Sequence, residues 1–216
     1  MTATERTRMR RGERARHDRD HVLAILDEGL FCHLGVVVDT YPMVVPTAYG
    51  RDGGRVYVHG STASRVLRAA ASAAEVCLTV TLVDGLVLAR SVFHHSVNYR
   101  SVMVYGPARP VTAADEKAAA LRVVTEHLVP GRWEAARPPT PKELAATSVL
   151  AIALDEASAK VRTGAPVDDE ADYDLDVWAG VIPLALAAGA AVGDPRLRPG
   201  LDPPDHVRSY QPAARR

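Results

Sequence analysis

Three hydroxyl-bearing residues and an arginine follow one another where a short strand gives way to a helix. The stretch RVYVHGSTASRVLR, residues 55–68, places Ser61, Thr62, Ser64 and Arg65 at this turn. The first turn of a helix has backbone N–H groups without partners and a partial positive charge, so it attracts anions. Hydroxyl donors and a guanidinium beside it would complete a phosphate-binding site. The alternative is that Ser61 or Thr62 only caps the helix and that Arg65 is solvated.

A second polar group opens a later strand. Asn98, Arg100 and Ser101 directly precede an apolar stretch, residues 102–104. At the rim of a barrel, such side chains could meet a ligand without burying an unpaired charge. The alternative is an arginine at the edge of a strand that stays in solvent.

Other chemical motifs give weaker signals. His94 and His95 are adjacent, so in a strand they would point to opposite faces and could not share one metal ion. The acidic stretch 168–176 lacks the glycine and glutamate of a calcium loop. The sequence contains no GxxxxGK, GxGxxG, HExxH or GxSxG motif. We therefore expect no metal site, and we consider His59 and His95 as candidates for acid–base catalysis.

Composition predicts a globular domain with tails. The chain has 216 residues, of which 47% are hydrophobic and 24% are charged. Its 26 basic and 26 acidic residues balance, unlike the charge of a typical nucleic-acid binder. Cys32 and Cys77 lie in apolar runs without a CxxC pair, which indicates free thiols in a reducing compartment. With no signal-peptide pattern and no apolar run long enough to span a bilayer, we expect a cytoplasmic protein without a membrane or nucleic-acid partner.

The elements that must position these residues are mostly short strands. Asp39–Pro42, Arg51–Gly54 and Val83–Gly85 are predicted turns, and Gly106 with Pro107 is predicted to bend the longest strand. Strands at such close spacing are typical of an antiparallel barrel rather than a parallel α/β fold. The predicted strands cover residues 31–38, 43–49, 55–58, 75–82, 86–93 and 97–111, and a last strand from residue 148 continues toward residue 162.

Helical periodicity marks two longer helices. Apolar residues recur at three- and four-residue spacing after Asp18, which can cap the helix, and Gly29 can end it. A second helix covers residues 113–128, and Thr140 can cap a short third one.

Four segments, taken in order, resemble a known family. They are FCHLGVVVDTYPMVVPTAYG (31–50), VYVHGSTASRVL (56–67), EVCLTVTLVDGLVLARSVFHHSVNYRSVMVYGPARPV (75–111) and ASAKVRTGAP (157–166). Their order resembles the FMN-binding split barrel of the pyridoxamine 5′-phosphate oxidase-like superfamily. It is most similar to the flavin-nucleotide-binding branch that includes 5-nitroimidazole resistance proteins.

The resemblance implies a mainly β fold with flanking helices, a six-stranded antiparallel split β-barrel. It also implies a homodimer with FMN at the subunit interface. The split barrel would cover residues 18–166. Residues 1–17, rich in arginine, would be a basic flexible arm, and residues 167–216 would form an acidic loop and an extension that packs on the barrel or on the partner.

The resemblance also implies site residues. A histidine at the end of the phosphate-side strand, functional in the nitroimidazole branch, corresponds to His59. A tryptophan near the cofactor in related oxidases corresponds to Trp178. The implied phosphate contacts are His59, Gly60, Ser64 and Arg65, to which Ser61 and Thr62 would add hydroxyl donors, and the implied isoalloxazine contacts are Val45, Pro46 and Thr47. The implied contacts from the later strand are Asn98, Tyr99, Arg100 and Ser101, either from the partner subunit or from the same rim, with Trp178 near the ring.

The implied function is an FMN-dependent oxidoreductase that acts on a small organic substrate. The sequence has MVVPTAYG where pyridoxamine phosphate oxidases carry a basic RxxxLK-like strand motif, so vitamin B6 oxidation is not expected. One alternative is a protein that binds FMN or haem without turnover, with His59, His94 or His95 as the axial ligand. Another is a reductase that uses the deazaflavin F420, whose longer acidic tail would need a basic groove beyond Arg65, where Arg68 is the candidate.

Overall fold

The computed structural model of the protein describes residues 4–7, 15–16 and 18–212. These residues contain ten strands: β1 (Ala15–Arg16), β2 (Phe31–Val38), β3 (Tyr41–Asp52), β4 (Arg55–Ser61), β5 (Val76–Leu88), β6 (Ser96–Gly106), β7 (Ala108–Pro110), β8 (Thr147–Ala153), β9 (Glu156–Arg162) and β10 (Gly180–Pro183). They also contain the helices α1 (Arg19–Glu28), α2 (Arg65–Ser72), α3 (Ala114–Leu128), α4 (Pro141–Ala146) and α5 (Asp205–Arg208). The predicted mainly β fold with flanking helices is confirmed, whereas the predicted number of six strands is wrong.

The strands form one antiparallel sheet that curls into an open half-barrel. Its strand order is β1-β9-β6-β5-β2-β3-β4-β8-β7, and β10 pairs with β5. β6 and β7 lie far apart in this order, yet only Pro107 separates them along the chain. Likewise, only Leu154 and Asp155 separate β8 from β9. These short connections draw the two ends of the sheet together, as a split barrel requires.

The strand count is higher because β1 and β10 lie outside the predicted strands and Pro107 separates β7 from β6. Two predicted strand boundaries are also wrong. We expected a turn at Val83–Gly85, but β5 continues through it and its register with β6 shifts there, which is a β-bulge. The carboxylate of Asp84 is buried in this bulge and accepts two hydrogen bonds of 2.9 Å from Arg100. The expected strand from residue 148 to residue 162 divides into β8, which pairs with β4, and β9, which pairs with β6.

Local signals at helix ends and hairpins are confirmed. Asp18 caps α1 by accepting a 3.0 Å hydrogen bond from the His21 N–H, and Gly29 ends this helix. Thr140 caps α4 in a capping box with Glu143. The β3–β4 hairpin turns at Gly53, whose φ of +54° is one that glycine adopts at little cost.

The core lies between the inner face of the sheet and the helices. Alternate residues of the strands, such as Leu34, Leu78 and Ile152, are fully buried, and Leu26 of α1 and Leu67 of α2 join them. Cys32 is buried and Cys77 is half-buried, and both are free thiols, as expected. Among the described residues, no helix has the length and apolar character needed to cross a bilayer.

Parts of the segments outside residues 18–166 contact the rest of the protein. Most of the predicted basic arm, residues 1–17, lies outside the described residues, but Arg6 forms ion pairs with Glu75 and Glu156, and β1 pairs with β9. The C-terminal segment contributes β10. Further on, α5 approaches the end of α3, where a Cβ on Gly131 would lie 3.5 Å from His206.

Candidate functional site

The sheet opens between β3 and β4. These strands pair only from Tyr49 with Val58 to Asp52 with Arg55. Beyond this point β3 stays paired with β2, whereas β4 stays paired with β8 as far as Ser61. The opening therefore has the predicted ring contacts Val45, Pro46 and Thr47 on one side and the predicted phosphate contacts His59, Gly60 and Ser61 on the other.

His59 brings an unsatisfied polar atom to this opening. Its Nδ1 is buried and has no hydrogen-bond partner among the described residues. Burial lowers the pKa of its imidazole below the ordinary value, so the ring is neutral at pH 7. A buried polar atom without a partner costs about 1–3 kcal/mol, and a ligand that reached Nδ1 would recover this cost.

The start of α2 follows the opening. Ser64 caps the helix by accepting a hydrogen bond of 3.3 Å from the Leu67 N–H. The hydroxyl of Ser61 accepts a hydrogen bond of 3.1 Å from the Ala63 N–H. The cap of α2 is therefore Ser64, and not Ser61 or Thr62 as the capping alternative had it. Each hydroxyl still has its own O–H to donate, so capping and anion binding are compatible at this turn.

Gly60 lets α2 approach β4. A Cβ at this position would lie 2.8 Å from Cδ1 of Leu67, closer than two carbon atoms can pack. The side chain of Leu67 is buried in the core. The predicted cofactor contact at Gly60 thus has a structural role as well, because it sets the distance between the helix start and His59.

An open groove of about 420 Å³ lies between α2 and the end of β2. Arg65 and Arg68 both line it, three residues apart on one helix face. Neither forms an ion pair within the part of the chain that the structure describes, and the Arg65 guanidinium lies 5.8 Å from the centroid of the Tyr41 ring. Asp39 is the one carboxylate among the lining residues, so positive charge prevails. The lining residues are Val37, Val38, Asp39, Arg65, Arg68, Ala69, Ser72 and Ala73.

Arg100 is held by two carboxylates. Its guanidinium donates to Glu28 of α1 and to Asp84 in the bulge of β5, with contacts of 2.5 to 2.9 Å. The hydrogen bonds with Glu28, followed by those with Asp84, raise the pKa of Arg100 above its ordinary value. Its charge is therefore already balanced within the chain.

The other predicted contacts on β6 also have partners. Asn98 is buried, donates to the Gly164 carbonyl at 3.1 Å and accepts from Arg162. The Ser101 hydroxyl donates to the Val80 carbonyl at 3.0 Å, and the Tyr99 ring lies 5.7 Å from the Lys160 ammonium. In the sheet, β5, β2 and β3 lie between β6 and β4. Within the described residues, the recorded polar partners of Asn98, Arg100 and Ser101 do not include His59 or Arg65.

His95 and Trp178 lie at a different place, near the end of the β5–β6 ribbon. Nδ1 of His95 lies 3.0 Å from the Ser91 carbonyl oxygen. The exposed indole of Trp178 lies over Gly180, at the start of β10. His94 contacts the Asp169 carboxylate at 3.5 Å, and the potential ligand atoms of His94, Asp169 and Asp172 lie within 4.8 Å of one another.

Some groove residues were not predicted from the sequence as flavin contacts. Arg68 was a candidate only for the F420 alternative. Its position three residues after Arg65 places both side chains on one helix face, which could have indicated a shared role. Asp39, which lines the groove, and Tyr41, whose ring lies near Arg65, gave no such signal, because the start of β3 and the turn before it meet α2 only in the folded sheet.

Comparison with known proteins identifies clear relatives. A model of the family described as pyridoxamine 5′-phosphate oxidase matches residues 18–161. The structure of the flavocytochrome Anf3 from Azotobacter vinelandii is similar with 43% identity and a TM-score of 0.90, over 94% of this chain and 95% of that one. The structure of an FAD and heme binding protein from Mycobacterium smegmatis is similar with 36% identity and a TM-score of 0.88, over 92% of this chain and 98% of that one.

A more distant structure shares the fold. A 5-nitroimidazole antibiotic resistance protein from Bacteroides thetaiotaomicron is 20% identical with a TM-score of 0.59, over 68% of this chain and 86% of that one. No curated protein matches the chain.

Proposed function

Because the chain belongs to the pyridoxamine 5′-phosphate oxidase family, we propose that it is a flavin-dependent oxidoreductase whose flavin binds where β3 and β4 separate. The observation that carries this proposal is the buried Nδ1 of His59, which has no partner among the described residues. A flavin ring has carbonyl oxygens and an N–H along one edge, so it could supply the partner. The two similar structures support a flavin, since one is a flavocytochrome and the other binds FAD.

The groove beside α2 would hold the phosphate end of the flavin. Arg65 and Arg68 would neutralise phosphate oxygens through charge-assisted hydrogen bonds. The hydroxyls of Ser61, Thr62 and Ser64 lie at the adjacent helix start and could donate to the same oxygens. The ring would then extend from the groove toward Thr47 and His59.

The two arginines fit more than one flavin. The sequence predicts FMN, whose phosphate monoester carries up to two negative charges on one phosphorus. Two guanidinium groups without carboxylate partners among the described residues could balance that charge or contact the two phosphates of FAD. We favour FAD over FMN because the M. smegmatis relative is an FAD binding protein, and F420, with its longer acidic tail, is the third candidate.

The chain would bind and orient the cofactor and tune its surroundings. A bound flavin accepts two electrons as a hydride and can release them singly. His59, kept neutral by burial, can share a hydrogen bond with the ring without adding positive charge beside it. Val45, Pro46 and Thr47 would cover one side of the ring and leave the other to a small organic substrate.

A haem is the second cofactor that we propose. The two similar structures are a flavocytochrome and an FAD and heme binding protein, and the likeness to each extends over more than 90% of this chain. Haem iron requires a neutral imidazole or another axial ligand in apolar surroundings. The exposed His95 ring lies close in sequence to exposed aliphatic residues of β5 and β6, so the chain's own residues fit this requirement.

We further propose that the protein is a cytoplasmic homodimer. The outer face of β2 and β3 carries the exposed side chains of Phe31, Val37 and Val44. Apolar side chains in a row on an open sheet favour a second copy as their partner. The two free thiols, Cys32 and Cys77, agree with a reducing compartment.

Flavin content in arginine variants tests the proposed site. We expect Arg65→Ala and Arg68→Ala each to weaken flavin binding by about 1.5–3 kcal/mol, a loss of roughly 10- to 150-fold in affinity. Arg109→Ala, which removes an exposed arginine from β7, is the matched control and should bind like the wild type. Mass spectrometry of the molecule released on denaturation identifies it as FAD, FMN or F420. Wild-type flavin content in the Arg65→Ala/Arg68→Ala double variant would contradict the site.

A further inference from the structure

An apolar surface lies at the end of the β5–β6 ribbon, away from the opening between β3 and β4. Leu86 pairs with Val97 of β6 on one side and with Ile182 of β10 on the other, so these three side chains share one face. They are 40%, 37% and 45% exposed, respectively. Three neighbouring aliphatic side chains on an exposed face are typical of a surface that binds an apolar ligand or a partner.

Trp178 extends this surface. Gly180 lies two residues before Ile182 in β10 and therefore on the same face. The indole of Trp178 covers Gly180, where a Cβ would lie 2.8 Å from the ring, and the tryptophan is 68% exposed. We call Leu86, Val97, Ile182 and Trp178 the ribbon surface.

His95 lies at the edge of the ribbon surface, and a hydrogen bond orients its ring. It precedes Val97 by two residues, and its backbone is extended, with φ −57° and ψ 144°. Its Nδ1 lies 3.0 Å from the Ser91 carbonyl oxygen, which can only accept a hydrogen bond. Nδ1 is therefore the donor of this hydrogen bond, and Nε2 is the ring nitrogen left to meet a ligand. No described residue bonds to Nε2, and the side chain is exposed.

Buried contacts fix the carbonyl that orients His95. The Asp168 carboxylate, with no solvent exposure, accepts hydrogen bonds from the backbone N–H groups of Arg90 and Ser91 at 3.0 and 3.3 Å. The Arg90 guanidinium also donates to it at 3.1 Å. Ser91 is thus held in place, and its carbonyl holds the imidazole.

An imidazole that donates from one nitrogen to a carbonyl and offers the other nitrogen is the usual form of a histidine ligand to iron. A porphyrin also needs apolar contacts over much of its area. We propose that Nε2 of His95 is an axial ligand of haem and that the ribbon surface contacts the porphyrin. This inference rests on the proposed function, in which the chain binds a haem.

The other histidines considered as axial ligands have different surroundings. Nε2 of His94 is 3.5 Å from the Asp169 carboxylate, so an acidic group already engages it. His59 has its free Nδ1 buried at the end of β4, where the flavin is proposed to bind. His95 therefore combines an available nitrogen with an apolar surface.

Haem content of the full-length chain, produced with a haem precursor, tests the assignment. We expect His95→Ala to lower the Soret absorbance per protein at least tenfold while flavin content stays at the wild-type level. Retained flavin also shows that the variant is folded. His94→Ala, which changes the neighbouring ring, is the matched control and should keep its haem. A His95→Ala protein with wild-type haem content and an unchanged Soret band would overturn the assignment.

A second variant separates ligation from folding. We expect His95→Gly to bind little haem alone and to regain a Soret band when imidazole is added with hemin, because free imidazole can take the vacated position. Loss of haem that imidazole does not restore would count against ligation by His95. If the wild-type chain binds flavin but takes up no hemin, both the haem part of the proposed function and this assignment fail. If the wild type binds haem and His95→Ala does too, only this assignment fails.

Discussion

Arg100 illustrates how one polar residue can serve the fold instead of a ligand. Its position at the start of an apolar strand suggested contact with a cofactor, and the resemblance to flavin proteins agreed. In the folded chain, its guanidinium links Glu28 on α1 to Asp84 in the bulge of β5. The side chains of Arg100 and Asp84 are only 20% and 7% exposed, so the ion pair is largely shielded from water.

Removal of this guanidinium should destabilise the fold. We expect Arg100→Ala to lower the free energy of unfolding by about 3–5 kcal/mol, because the buried Asp84 carboxylate would lose two charge-assisted hydrogen bonds and Glu28 would lose its contact with β6. Urea unfolding followed by circular dichroism measures this change.

An exposed ion pair provides the control for that experiment. Arg137 pairs with Glu143 at 2.6 Å on the surface, and Arg137→Ala should change the unfolding free energy far less than Arg100→Ala, because water screens this pair. If Arg100→Ala left the unfolding free energy unchanged and removed the flavin, Arg100 would be a cofactor ligand after all.

At the level of elements, the contact between α3 and β3 depends on one glycine. A Cβ on Gly50 would lie 2.7 Å from the Val123 carbonyl oxygen and from backbone atoms of Val124. These are backbone atoms, so no side-chain rotation could relieve the clash. The absence of a side chain at Gly50 therefore allows α3 to lie directly against the sheet.

A methyl group at Gly50 should push α3 away from the sheet. We expect Gly50→Ala to lower the free energy of unfolding by about 1–3 kcal/mol, the usual cost of overpacking. Thermal and urea unfolding would measure it. Gly189→Ala is the control, because a Cβ there has open space and should change stability little. A Gly50→Ala protein as stable as the wild type would mean that α3 does not lie this close to β3.

Elements defined by local signals could be predicted from the sequence. The α1 cap at Asp18, the capping box at Thr140 and the glycine turn at Gly53 each depend on residues within a few positions of one another. The course of β5 through Val83–Gly85 could not be predicted, because the bulge there is held by Arg100, 16 residues away. The separation of β8 from β9 likewise depends on partners elsewhere in the sheet.

The same distinction applies to the candidate site. The helix start at Ser64 and Arg65 was visible as a contiguous motif. The opening between β3 and β4, and the burial of His59 Nδ1, arise from the pairing of β3 with β2 and of β4 with β8. The hydrogen-bond partners of Asn98 and Arg100 could not be predicted for a similar reason. Gly164 is 66 residues from Asn98 along the chain, and Glu28 is 72 residues from Arg100.

At the scale of the whole molecule, the exposed apolar side chains on the outer face of β2 and β3 predict a dimer interface. Val44 is 63% exposed and pairs with Gly35, so it lies in the middle of the apolar face of β2 and β3. If the protein is the proposed dimer, we expect Val44→Lys to convert it into a monomer, because a lysine ammonium would be buried at the interface. Sedimentation velocity measures the mass, and flavin content should fall with it if the cofactor needs both subunits.

Val192 supplies the matched control for the assembly experiment. It is 93% exposed in the C-terminal segment, and Val192→Lys adds the same charge outside the β2–β3 face. This variant should remain dimeric. A Val44→Lys chain that sediments like the wild type would place the interface elsewhere.

The two cysteines lie on neighbouring strands but on opposite faces of the sheet. Cys32 is buried, and burial raises the pKa of its thiol to about 12, so it holds almost no thiolate at neutral pH. Cys77 pairs with Gly35 on the outer face and is half-buried. A maleimide fluorophore would therefore attach at one native position, without any engineered cysteine. The Cys77 thiol therefore lies on the face that a second copy would cover, so the rate at which a dye labels it would report whether that face is free.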